Sequence, residues 1–180
     1  SVYLAVSKIK ELAMSWVAIL MGSESDWPTM RSSKEVLAEL DVTSEVRVTS
    51  AHRTPKETQE YVLDAEARGC KVFICAAGMA AHLAGAVAAQ TTRPVIGVPI
   101  SSGSLQGVDA LLSTVQMPGG IPVATVAIGK AGAKNAAYLA SQILATSYDS
   151  LFERVRANRE KNKEKVISQN QALQETLSGS

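Results

Sequence analysis

The sequence predicts a three-layer α/β fold: a doubly wound parallel sheet with helices on both faces, followed by a C-terminal helix. Three observations carry that expectation. Five short apolar runs are each stopped by Gly, Ser or Pro, and amphipathic or Ala-rich stretches of helical length separate them. Parallel strands cannot be joined by tight turns, so strands alternating with helices imply crossovers and a sheet covered on both sides. Of 180 residues, 46% are hydrophobic but only 4% are aromatic. A core of such small side chains, Ala above all, requires layers that approach closely.

Each element has its own signal. Residues 16–21 (WVAILM) form an apolar run that ends at Gly22, as a buried strand does. Beyond it, Ser25 or Asp26 is placed to cap a helix and Pro28 suits its first turn. That helix continues through Val36, Leu37 and Leu40. Over residues 44–49, Val46 and Val48 alternate with polar residues, which makes a second strand. Thr54 reads as the next N-cap, with Pro55 first in the helix and Glu57 as capping-box partner; Gly69 ends it after Arg68. Residues 72–76 are a third strand, followed by an Ala-rich helix over 80–90. Residues 94–98 are a fourth, and a Ser/Gly loop over 101–107 leads to a helix through Leu111 and Val115. Residues 123–128 are a fifth, and 131–144 form another Ala-rich helix.

The ends differ from this body. Residues 1–15 read as an N-terminal extension of unknown structure, because Lys8, Lys10 and Glu11 interrupt the apolar stretch a signal peptide needs. Residues 16–147 make the α/β domain, and 148–180 a C-terminal helix and tail. Between Glu153 and Lys165 that tail carries six basic and three acidic side chains. A solvated helix face is one reading of this charge. The sharper one packs the helix on a neighbouring subunit.

Composition excludes several classes of function. Eighteen basic against seventeen acidic residues leave a net charge of +1, too little for nucleic-acid binding by bulk charge. No apolar stretch is long enough to span a membrane. Cys70 and Cys75 fall in or beside one strand, so they are not expected to pair; they fit a reducing, cytoplasmic setting. GxSxG, HxH and HExxH are all missing, which argues against a serine hydrolase and a transition-metal site. No metal and no cofactor are expected.

Ligands of open parallel sheets bind beyond the carboxyl ends of the strands. The first loop there brings Gly22, Ser23, Ser25 and Asp26 to the start of a helix. Small hydroxyl side chains and free backbone N–H groups at a positive helix end suit a phosphate. Helix capping alone also explains such residues. The second loop holds Ser50, Ala51, His52 and Arg53, and the third Ala77, Gly78, Met79, His82 and Leu83. Arg presents a fork of donors to phosphate, while His titrates near neutrality and can pass protons. A lone His is more often structural, but both histidines of this chain fall at strand ends on one side of the sheet. The chemistry left standing is proton transfer on a small anionic ligand, phosphorylated by this reading.

These segments resemble those of a known family. GSESDW (22–27), SAHRTP (50–55), AAHL (80–83), VQMP (115–118), PVAT (122–125) and AGAKNA (131–136) are similar to the signature segments of the PurE family. The likeness runs in one register over residues 17–146. It implies a flavodoxin-like, Rossmann-like fold and a homo-octamer with active sites at subunit junctions. It also implies a mutase of purine synthesis that moves a carboxylate from N5 to C4 of aminoimidazole ribonucleotide. By the same resemblance, Ser23, Ser25 and Arg53 hold the 5′-phosphate and Asp26 the ribose hydroxyls. His52 shuttles the proton between N5 and C4, His82 orients the carboxylate, and residues 78–83 enclose CO2 and the ring.

The third loop departs from the family pattern, which has Gly where Ala76 and Met79 stand and Pro where Ala84 stands. If position 79 needs φ > 0, Met79 is strained; alternatively its side chain covers the substrate ring. Two other functions stay open beside the mutase. One is direct carboxylation of the ribonucleotide with free CO2. The other is a nucleotide-binding subunit that kept the fold and lost the chemistry.

Overall fold

The computed structural model describes residues 15–179, so all of the N-terminal extension except Ser15 lies outside the described residues. Five parallel strands form one sheet in the order β2-β1-β3-β4-β5. They are β1 (Trp16–Met21), β2 (Ser44–Val48), β3 (Cys70–Gly78), β4 (Val95–Ile100) and β5 (Ala124–Thr125). The helices are α1 (Trp27–Glu39), α2 (Pro55–Ala67), α3 (Leu83–Ala88), α4 (Val108–Val115), α5 (Lys130–Ala145) and α6 (Asp149–Ser178). This strand order is that of the flavodoxin-like sheet.

Alternation along each strand sorts the core into two. Val17, Ile19 and Met21 of β1 point towards α1 and α5, joining Leu37, Ile74, Ile96 and Ala137. Ala18 and Leu20 point the other way, joining Phe73 and Cys75 of β3, Val62 of α2 and Val87 of α3. Each fully buried Leu or Ile stabilises the fold by about 1.5–3 kcal/mol. The Ala-rich helix α5 serves close approach. Ala133, Ala136, Ala137 and Ala140 are completely buried, and the Ser33 hydroxyl donates to the Ala133 carbonyl at 2.6 Å. Gly132 has no room for a Cβ, which would overlap the Ala127 carbonyl.

Several boundaries differ from expectation, and pairing explains most of them. Strand β3 runs past residue 76 on one neighbour: pairing with β1 ends at Ala76, while Ala77 and Gly78 pair with Pro99 and Ile100 of β4. β4 is extended at the same end for the same reason. β5 shrinks to two residues because it pairs on one side only, with Ile96 and Gly97. β2 is the opposite edge, and its alternation hides less than predicted: Val46 is half-buried and Val48 is 51% exposed. Helix α3 begins at Leu83 instead of residue 80, since residues 79–82 are spent on a loop.

The N-caps fall at expected residues, but without side-chain cap bonds. Thr54 stands at the N-cap of α2 but makes no side-chain cap bond; its hydroxyl accepts the Ser50 N–H at 2.9 Å, closing the preceding loop. Asp26 stands at the N-cap of α1, likewise without a cap bond. Ser23 caps the 3-10 turn ahead of it, Glu24–Asp26.

In α6 the first turns lie on the body: Leu151 is fully buried, and Arg154 Nε donates to the Leu40 carbonyl at 2.9 Å. Beyond Asn158 every described residue of the helix is exposed. Among the described residues, no helix is long and apolar enough to cross a membrane.

Candidate active site

The chain leaves β1 for one side of the sheet and β3 for the other, which opens a crevice between their carboxyl ends. Three loops meet there. Gly22 N–H is fixed to the Ala76 carbonyl at 3.0 Å, and the Gly22 carbonyl receives Arg53 Nη2 at 3.3 Å. The second loop thereby reaches across to the first. Ser23 Oγ accepts from the Ser25 hydroxyl at 2.9 Å and from the Ser25 N–H at 3.3 Å. Two hydroxyls and the start of α1 then face the same space as the guanidinium.

The second loop is a closed turn. Thr54 N–H donates to the Ser50 carbonyl at 3.0 Å, and Arg53 N–H to Ser50 Oγ at 3.2 Å. Thr49 and Thr58 lock its base through a hydroxyl pair 2.6 Å apart. His52 stands exposed at its tip. In the third loop Ala81 N–H donates to Ser113 Oγ of α4 at 3.0 Å, which holds the loop beside that helix. The outcome is a contact between histidines 30 positions apart: His52 Nε2 lies 2.7 Å from His82 Nδ1. Their rings meet edge to face, with centroids 4.8 Å apart. One of the two nitrogens donates and the other accepts, so the two rings share one proton across this contact.

A cavity of about 690 Å³ joins the three loops. The first contributes Gly22, Ser23, Ser25 and Asp26, the second Ser50, Ala51, His52 and Arg53, the third Ala77, Gly78, Met79, His82 and Leu83. All thirteen residues expected from the sequence therefore border one space. Asp26 is its buried acid. Burial pushes the carboxyl pKa above its ordinary 3.8, partly opposed by a hydrogen bond from the Ser23 backbone.

Comparison with known proteins identifies the family. The model of the family described as AIR carboxylase matches residues 16–165. The chain belongs to that family. A Bacillus subtilis relative, N5-carboxyaminoimidazole ribonucleotide mutase, is 53% identical over 157 residues, covering 87% of this chain and 97% of its own. The Escherichia coli K12 protein of the same name is 52% identical over 151 residues, covering 84% of this chain and 89% of its own. A crystal structure of Treponema denticola PurE aligns with a TM-score of 0.80 at 30% identity, covering 88% of this chain and 98% of its own.

Within the AIR carboxylase family pattern, the three unusual residues of the third loop have different fates. Ala76 is an ordinary strand residue, fully buried in the core beneath α1 and α5. Ala84 is buried in the first turn of α3, where it packs in the other core. Met79 alone takes the left-handed conformation, with φ 53°. Ala80, within the 78–83 loop expected to enclose the ligand, and Ser102, not singled out from the sequence, complete the cavity. Ser102 lies so near Gly78 that a Cβ there would overlap its hydroxyl. Ser102 belongs to the Ser/Gly loop after the fourth strand, a composition that singles out no one serine.

Proposed function

We propose that this chain converts N5-carboxyaminoimidazole ribonucleotide to the 4-carboxy-5-amino isomer, as the named relatives' activity would have it, with His52 as proton carrier. The observation that carries the reading is the His52–His82 contact at 2.7 Å, set beside hydroxyls and a guanidinium in one cavity. With Nε2 engaged by His82, Nδ1 of His52 is left to face the substrate. A proton delivered to N5 turns that nitrogen into a leaving group; the N–C bond breaks, its electrons stay on N5, and CO2 is freed. C4 then attacks the CO2 carbon, and the proton that C4 sheds returns to the same imidazole. The same imidazole serves first as acid and then as base. His82 keeps Nε2 for the migrating carboxylate.

Ser23, Ser25 and Arg53 hold the 5′-phosphate in this scheme. The guanidinium supplies charge, and the hydroxyls at the start of α1 add donors at a positive helix end. Asp26 accepts from the ribose hydroxyls. Gly22, Ser50, Ala51, Ala77, Gly78, Met79 and Leu83 shape the walls around sugar and base.

His52→Asn tests the assignment. It is expected to abolish interconversion of the two isomers, a loss of at least about 10²-fold for a removed acid–base group, while ribonucleotide binding persists. Full activity in that variant overturns the assignment.

We also propose a homo-octamer, located in the cytoplasm, with sites at subunit junctions and with α6 packed on a neighbouring subunit. Its support is an apolar surface beside the site: Leu105, Val108, Leu112 and Val115 are 45–61% exposed. An assembly mass eight times the 19.0 kDa of the chain checks it.

A further inference from the structure

Ser113 does not border the cavity, yet from α4 it holds the backbone of the loop that carries His82. Its hydroxyl accepts the Ala81 N–H at 3.0 Å and donates to the Asp109 carbonyl, one turn back, at 2.7 Å. The second bond spends the hydroxyl proton inside α4, so the lone pairs of the oxygen are left for Ala81. Ala81 is only 2% exposed, and a donor buried that far needs an acceptor. The support is itself fixed: Ala110 and Thr114 are buried, and Thr114 leaves no room for a Cβ on Gly97 of β4. His82 follows Ala81 directly. Its carbonyl accepts the Ala86 N–H at 2.9 Å as α3 begins. Among the described residues its ring has a single hydrogen-bond partner, His52 Nε2 at 2.7 Å. The ring therefore goes where the backbone at 81–82 puts it.

We propose that Ser113 is a positioning residue for the reaction: through Ala81 it keeps His82 within hydrogen-bonding reach of His52. The inference rests on the isomerisation reading above. A hydrogen bond of this length is lost within about 1 Å of displacement. Without the Ser113 oxygen, the Ala81 N–H must turn towards another acceptor, and His82 moves with it. Nε2 of His52 is then free, and nothing fixes which nitrogen of that imidazole faces N5 and C4. The chemical step suffers from this, whereas binding of phosphate and ribose does not. Ser23, Ser25, Asp26 and Arg53 reach the cavity from the other two loops. Ser113 thus acts on the proton carrier through two intermediaries and touches no part of the substrate.

The experiment measures kcat and KM of the full chain for the N5-carboxylated ribonucleotide. Ser113→Ala and Ser113→Val remove the oxygen, while Ser113→Thr keeps it in a side chain the size of valine. Removal is expected to lower kcat about 10- to 100-fold, as for a catalytic group misplaced by up to 1 Å, with KM within about twofold of wild type. Ser113→Thr is expected to retain most of kcat. In a His82→Asn background, Ser113→Ala is expected to add no further loss, since the group it positions is gone. Three results overturn the proposal and leave the isomerisation reading standing: Ser113→Val as active as Ser113→Thr, a loss carried by KM instead of kcat, or a full further loss in the His82→Asn background. A wild type that forms no C4-carboxylated product overturns that reading, and the proposal with it.

Discussion

Asp26 sets its proposed role in binding the ribose against the stability of the fold. Its carboxyl sits 8% exposed at the head of α1, and burial raises its pKa above 3.8. Folding therefore favours the protonated form. The native state holds more protons than the unfolded chain between the ordinary and the raised pKa, and stability falls as pH rises through that window. Asp26→Asn removes the burden. Its thermal midpoint is expected above that of the wild type at pH 7, with the gap closing as pH falls below 3.8. The same change weakens ribonucleotide binding by about tenfold, the order expected for one hydrogen bond to a charged group. Thermal melts across pH and calorimetric titration read the two effects separately; a lower midpoint at pH 7 contradicts the argument. On the proposed phosphate role, Arg53→Ala is expected to cost about 1.5–3 kcal/mol of ribonucleotide binding, with little effect on the melt.

Elements show what a sequence pattern can and cannot carry. The strand β1 was legible to the residue, since it is apolar throughout and bounded by Gly22. The ends of β3, β4 and β5 were not, because partner strands decide where pairing stops and local composition does not record them. The histidines were legible as neighbours from strand ends alone, whereas their 2.7 Å contact depends on how residues 79–82 wind before α3. Ser113 escaped notice for a similar reason: it lies on α4, and its part in holding Ala81 arises only from packing. Helix α5 offers the sharpest test at this scale. A methyl on Gly132 overlaps the Ala127 carbonyl, and backbone cannot yield as a side-chain tip does. Gly132→Ala is expected to destabilise the fold by about 1–3 kcal/mol, the usual range for overpacking, despite the better helix propensity of Ala. A denaturant midpoint equal to or above the wild type contradicts that close approach.

At the scale of the whole molecule, the aromatic-poor composition acquires a second use. Small side chains close the layers around α5, as its four buried alanines do, while a set of larger apolar side chains stays exposed on the surface. On α4, Val108, Leu112 and Val115 recur at spacings of four and three, so they form one stripe along a helix. That stripe is 45–57% exposed, and Leu105 extends it at 61%. In the chain it follows the loop of Ser102, which borders the cavity. A net charge of +1 leaves little long-range repulsion between copies. If α4 is a subunit junction, Leu112→Glu places a charge in a desolvated contact and splits the assembly. Sedimentation should then give a smaller mass, and activity should fall in the same proportion and recover as protein concentration rises. The sheet does not use Leu112, so far-ultraviolet circular dichroism should stay unchanged. An octamer that survives the substitution with full activity would place the junction on another face of the molecule.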